Sequence, residues 1–120
     1  MTDSALVLID IQNDFLPGGA LAVPDGDKIL KPINKVIKNF SLVVASKDWH
    51  PKNHVSFAST WNQKVGDVVF KKGVDQVLWP DHCVQNTWGA QFPKGLDTSA
   101  IEEVFVAGDD PLVDSYITDT

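Results

Sequence analysis

Ala5-Leu6-Val7-Leu8-Ile9-Asp10 decides the fold. Five apolar residues run without a polar break and stop on a carboxylate. Such a run reads as a strand buried on both faces, the kind that parallel sheets use. The next regular pattern is helical. Ile29, Leu30, Ile33, Val36, Ile37 and Phe40 recur at helix spacing, while Lys28, Lys31, Lys35 and Lys38 take the other face. Asp25 or Asp27 is placed to cap its start. Pro32 falls near the first turn, where a kink is possible. Residues 41–46, with Leu42-Val43-Val44-Ala45 at their centre, predict a second buried strand running into Asp48. Residues 13–19 predict a loop turning at Pro17-Gly18-Gly19. Residues 51–95 predict one long irregular loop, a length that is usually functional in a small domain. Residues 99–103 predict the end of a short helix, and Val104-Phe105-Val106-Ala107 a third strand. The order β–α–β–loop–β predicts an α/β fold built on a partial, Rossmann-like parallel sheet. Asp10 and Asp48 then stand at the carboxyl ends of strands, the edge where open α/β sheets bind ligands.

At 120 residues the chain is at most one small domain. With 43% hydrophobic and 22% charged residues it has the balance of a globular protein and not of a disordered one. A net charge of -6 excludes nucleic acid as the main partner. The first apolar run is too short for a signal peptide or a membrane span. The single cysteine, Cys83, allows no internal disulfide and fits a reducing compartment, cytoplasmic or nuclear.

All three histidines fall in two short signatures, Asp48-Trp49-His50-Pro51-Lys52-Asn53-His54 and Trp79-Pro80-Asp81-His82-Cys83. Along an extended segment Asp48 and His50 point to one side, roughly 7 Å of chain apart, so both can reach one ion. His82 arrives from the far end of the long loop. Two histidines and one carboxylate leave positions open for water, the pattern of a catalytic metal site. Any one of these histidines alone reads better as a loop residue making a hydrogen bond. Together they point to one divalent metal ion, zinc or iron. His54 stands either as a further ligand or as a support behind one. Asp10, at a strand end, needs a partner or a task, and a capping role is the plain alternative. Cys83 reads as a small buried hydrophobe. Non-haem iron oxygenases also use two histidines and a carboxylate. Their order begins His-x-Asp on an all-β scaffold, and the strand–helix pattern argues against them.

These segments together closely resemble the nicotinamidases, within the isochorismatase-like cysteine hydrolases. The resemblance rests on residues 5–15, on Asp48-Trp49-His50-Pro51 continuing through His54-Val55-Ser56-Phe57-Ala58, on Leu78-Trp79-Pro80-Asp81-His82-Cys83-Val84-Gln85, and on residues 108–116. The Asp48-x-His50…His82 set separates the chain from the isochorismatase branch, which acts on a vinyl ether. The resemblance implies an isochorismatase-like hydrolase fold and a metal-binding amide hydrolase that converts nicotinamide to nicotinate and ammonia, a step of NAD salvage. It implies that Asp10 is the catalytic aspartate that takes the proton of a cysteine nucleophile. Asp48, His50 and His82 would be the metal ligands, holding an ion that orients the pyridine ring. Phe15 and Trp79 would pack on that ring.

Two departures from the family pattern matter. The family places a lysine before the glycine of K-G-x-x-P-x-x-D-S-Y, and here that position is Ala107. Lys72-Gly73 looks alike but precedes the His82 segment, in the wrong order. After Tyr116 the pattern fails, with Ile117 where a serine is usual. The family nucleophile lies further downstream. The resemblance thus implies that residues 1–120 are the N-terminal portion of one hydrolase domain whose C-terminal part is missing. Such a chain is expected to be inactive by itself; the alternative is a non-catalytic metal-binding fragment or pseudoenzyme. With only part of the sheet present, self-association is expected through an open edge and a bare apolar face.

Overall fold

The computed structural model describes residues 4–71 and 73–114. Ser115, Tyr116 and Ile117, and Lys72 of the look-alike pair, lie outside the described residues. Strand β1 (Ala5–Ile9) pairs in parallel with β2 (Leu42–Asp48), which pairs in parallel on its other side with a third strand (Glu103–Ala107). The spatial order therefore follows the chain, with β2 in the centre. The register sets Leu8 opposite Ala45, Ile9 opposite Ser46, and Asp48 opposite Ala107. Between β1 and β2 lies one α-helix, α1 (Leu30–Val36), extended by 3-10 turns at Gly26–Ile29 and Ile37–Asn39. Pro32 sits in its first turn, where a missing N–H costs nothing. Neither Asp25 nor Asp27 caps the helix with its side chain. Asp25 instead adopts φ 59°, and its carbonyl accepts the Lys28 N–H at 3.0 Å.

One face of the sheet is closed. Leu8, Ile11, Ile37, Val43, Ala45 and Leu96 form the core, with Leu6, Leu30, Ile33 and Phe40 packed against it. The helical periodicity predicted this face, although Ile29 and Val36 turn outward and are exposed. The other face is open. Val7 is 54% exposed, Ile9 64% and Phe105 52%. The expectation that β1 is buried on both faces therefore fails among the described residues. The helix and the loop through Leu96 lie on the Leu6–Leu8 side, and no described element packs on the opposite one.

Two local expectations also give way. Residues 99–103 form no helix. The Asp97 carboxylate accepts both the N–H and the hydroxyl of Ser99, which fixes a turn there. The Glu102 N–H then bonds at once to the Val43 carbonyl, starting the strand ladder before a helix can form. The long loop is not wholly irregular, for it contains an antiparallel hairpin, β3 (Val68–Lys71) and β4 (Val74–Val77). Gly73, with φ 80°, supplies the left-handed backbone at its turn. The strand at Glu103–Ala107 is accordingly β5.

Candidate metal centre

The carboxyl edge of the sheet gathers the residues singled out in the sequence. Asp48 is the last residue of β2. His50 follows it and bridges to the returning chain: its N–H bonds to the Cys83 carbonyl, and the Gln85 N–H bonds to the His50 carbonyl. This short parallel bridge carries His82 to Asp48 across more than thirty residues of loop. One donor atom from each of Asp48, His50 and His82 lies within 4.8 Å of the others. His50 Nε2 is 3.0 Å from Asp48 Oδ2, and His82 Nε2 is 3.4 Å from the same oxygen.

The tautomers are set by the backbone. A carbonyl only accepts, so His50 Nδ1–H donates to Gly108 O at 2.8 Å, and His82 Nδ1–H donates to Pro80 O at 2.8 Å. Each ring therefore turns Nε2, with its lone pair when neutral, towards Asp48. An anchored Nδ1–H and a free Nε2 is the usual preparation of a metal-ligating histidine. The donor set, two imidazole nitrogens and one carboxylate oxygen, suits a divalent transition metal and leaves coordination positions open. Phe57, fully buried, lies against both rings, with its centroid 5.3 Å from that of His50 and 5.5 Å from that of His82.

His54 stands behind this cluster and contributes no donor atom to it. Its Nε2–H donates to Val113 O at 2.9 Å, while its Nδ1 accepts from the Ser56 hydroxyl at 2.7 Å. Burial and the neighbouring His50 lower its pKa, which favours the neutral ring those bonds require. Its ring lies 4.1 Å from that of His50, centroid to centroid.

The charges of the site follow from this packing. Burial alone would raise Asp48, but its bonds to His50 and His82 outweigh burial and hold it at about 2. Asp10 follows β1 with φ 55°, and its Oδ1 accepts the Ser46 hydroxyl at 3.0 Å. Its pKa is raised, by burial first and also by the nearby Asp48, against the opposing bond from Ser46. Asp10 thus takes up a proton more readily than an ordinary aspartate. Cys83 is fully buried, and burial with Asp48, Asp14 and Asp10 around it pushes its thiol far above the usual range.

Phe15 reaches the site, its ring 5.8 Å from that of His82. Trp79 is fixed by backbone bonds to Ser56 and Ala58, and no ring pair links it to His82 among the described residues. Sequence reasoning gave no role to Gly108, Gln12 or Asp14. Gly108 has φ 65°, and a Cβ there would lie 2.6 Å from His50 Cε1 and 2.9 Å from Asp48 Oδ1. The signal for it was a glycine directly after the third predicted strand.

Comparison with known proteins agrees with this geometry. Residues 4–107 match the model of the Isochorismatase domain. The chain is 48% identical over 120 residues to the nicotinamidase of Escherichia coli, covering 97% of this chain and 56% of that protein. Among solved structures, the Acinetobacter baumanii nicotinamidase/pyrazinamidase is similar with a TM-score of 0.88 and 41% identity, over 95% of this chain and 56% of that one. The pyrazinamidase of Pyrococcus horikoshii, solved in complex with zinc, is similar with a TM-score of 0.71 and 40% identity, over 93% and 55% of the two chains. The chain thus spans about half the length of the relatives it matches. A strand-end carboxylate, a prepared Asp–His–His cluster and a match over residues 4–107 lead to one conclusion: the chain belongs to the isochorismatase family.

Proposed function

We propose that this chain is the metal-binding part of a nicotinamidase-type amide hydrolase, acting on nicotinamide to give nicotinate and ammonia. The observation that carries the reading is the convergence of Asp48, His50 and His82, with both histidine Nε2 atoms turned to one carboxylate oxygen, at the sheet edge that also carries Asp10. Asp48, His50 and His82 would hold one divalent ion, zinc or iron. When bound, that ion supplies a Lewis-acidic anchor for the pyridine ring nitrogen. Phe15, beside His82, offers an apolar wall for the ring, and the resemblance to the nicotinamidases gives Trp79 the same task. Asp10, readily protonated, is suited to take the proton of a cysteine nucleophile. Cys83 is not that nucleophile, because its buried thiol stays protonated.

A non-catalytic metal-binding role is the second reading. It is favoured by Ala107, which stands opposite Asp48 where the family pattern places a lysine. On either reading residues 1–120 alone give no measurable ammonia from nicotinamide. The net charge of -6 argues against nucleic acid as the main partner, and among the described residues no helix is long and apolar enough to cross a membrane. The buried unpaired Cys83 fits a reducing, cytoplasmic or nuclear setting.

The test is metal content followed by ligand response. Purified chain should carry close to one equivalent of zinc or iron, and the His50→Ala/His82→Ala double variant none. Nicotinamide should shift the visible spectrum of the cobalt-loaded chain, whereas benzamide, which lacks the ring nitrogen, should not. Equal metal in the double variant would overturn the site. Equal response to both amides would overturn the substrate assignment.

A further inference from the structure

The loop between Asp10 and Phe15 touches both segments that bear the metal donors. Gln12 is fully buried, and its amide is wholly committed. Its Nε2 donates to Asp48 O at 2.7 Å and to Ala90 O at 2.9 Å, while its Oε1 accepts the Asp48 N–H at 2.9 Å. The peptide groups of Asp48 are thus held on both sides by one side chain from 36 residues earlier. Asp14 does the corresponding work on the second segment. Its Oδ2 accepts the Cys83 N–H at 2.8 Å, and its Oδ1 accepts the Ala20 N–H at 3.0 Å.

The Asp14 bond falls on a strained residue. Cys83 has φ 47°, in the left-handed region that a non-glycine residue rarely adopts. His82 precedes it directly, so this turn decides where the His82 ring points. The chain also closes tightly round the Asp14 carboxylate: a Cβ on Gly89 would lie 2.0 Å from Asp14 Oδ2. Asn13 between them is tied down as well, its Nδ2 donating to Trp88 O at 2.8 Å and its N–H to Gln91 O at 2.9 Å. Neither Gln12 nor Asp14 belongs to the donor cluster.

We infer that Gln12 and Asp14 are positioning residues of the metal centre, clamping the Asp48 backbone and the His82–Cys83 turn in the mutual register that ion binding requires. The inference rests on the metal reading given above. Loss of such an outer support typically lowers metal affinity about 10–100-fold.

The experiment loads the 120-residue chain with cobalt and measures both affinity, by competition with a chelator, and the visible absorption of the bound ion. Gln12→Ala and Asp14→Ala should retain the circular dichroism of the parent, bind cobalt about 10–100-fold more weakly, and show an altered absorption envelope. Asp14→Asn, which keeps an oxygen acceptor for the Cys83 N–H, should recover most of the affinity. If the parent chain binds no cobalt, the metal reading itself fails. If the parent binds and both alanine variants match it within twofold in affinity and in spectrum, the clamp is refuted while the metal site stands. Where an alanine variant does not fold, Gln12→Glu and Asp14→Val, close in size to the originals, take its place. Gln12→Glu cannot donate to Asp48 O or Ala90 O, so it should bind weakly with a changed spectrum. Parent-like affinity and spectrum in that variant overturn the role of Gln12, and parent-like affinity and spectrum in Asp14→Val, which offers the Cys83 N–H no acceptor, overturn the role of Asp14.

Discussion

At the carboxyl edge of the sheet, no buried side-chain nitrogen or oxygen lacks a hydrogen-bond partner among the described residues. On the sheet face that carries Val7, Ile9, Val44 and Phe105, apolar side chains meet solvent. The two regions share strands: Val44 and Asp48 lie on β2, and Ile9 directly precedes Asp10. Burying a polar group without a partner is expensive, so a site built from carboxylates and imidazoles must be locally complete wherever it forms. Apolar closure has no such local rule and can be supplied by any surface that arrives later. The donor cluster is therefore assembled by loops among the described residues, whereas the second face is not closed by them. Assembly of the site and stability of the sheet become separable properties.

The sharpest way to break that separation is Gly108→Ala. The added methyl group would press on His50 and Asp48, and alanine would be strained at φ 65°. Metal affinity should fall by at least about 100-fold, more than for loss of an outer support alone, as read by chelator competition. Affinity within a few-fold of the parent would show that the site is looser than its geometry. The next contrast lies within one strand. Leu8 is 3% exposed and Ile9 64%. Leu8→Ala should cost about 2–5 kcal/mol in urea unfolding, while Ile9→Ala should stay within about 0.5 kcal/mol. Light scattering adds the complementary measure, with Ile9→Thr/Phe105→Thr reducing the self-association that we expect of the open face.

A smaller effect is expected from pH. Asp48 is held at about 2 in the fold, against about 3.9 in an unfolded chain. Its pairing with His50 and His82 therefore stabilises the metal-free chain above pH ~4 and is lost as pH falls towards 2. His82 is shifted the other way, upwards, by its bonds to Asp48 and Pro80 against the effect of burial. Its contribution is fully present below pH ~6.5 and disappears as pH rises through its folded value. Metal-free stability should hence be highest between about pH 4 and 6.5. Bound metal, which requires deprotonated donors, should remove the upper fall. Urea midpoints at pH 5 and pH 8, with and without zinc, give the comparison. The smallest effect concerns Cys83. A thiol reagent should leave the native chain unmodified over the time in which it labels urea-unfolded chain fully, because the group is buried and protonated. Rapid native labelling would mean that the finished edge opens.

Much of this was legible in the residues. Apolar runs ending on Asp10 and Asp48 placed two strands, and the spacing of Ile33 and Ile37 placed the covered face of the helix. The histidine signatures singled out Asp48, His50 and His82, the residues that the fold brings within reach of one ion. The hairpin was missed because Val68, Phe70 and Val74 face outward, so its strands show no buried face to alternate against. The roles of Gln12, Asp14 and Gly108 could not be read from spacing. Each acts on a residue 36 to 69 positions away, through bonds or clearances that exist only once the chain has folded back.

The bond from His50 to the Gly108 carbonyl carries a consequence for biosynthesis. A nascent chain that has emerged as far as residue 83 already displays all three donors. It does not yet possess the acceptor that selects the tautomer of His50. That acceptor arrives only when β5 has been made and has docked beside β2. The His50 ring of a half-made chain is therefore not yet fixed with its Nε2 lone pair facing Asp48.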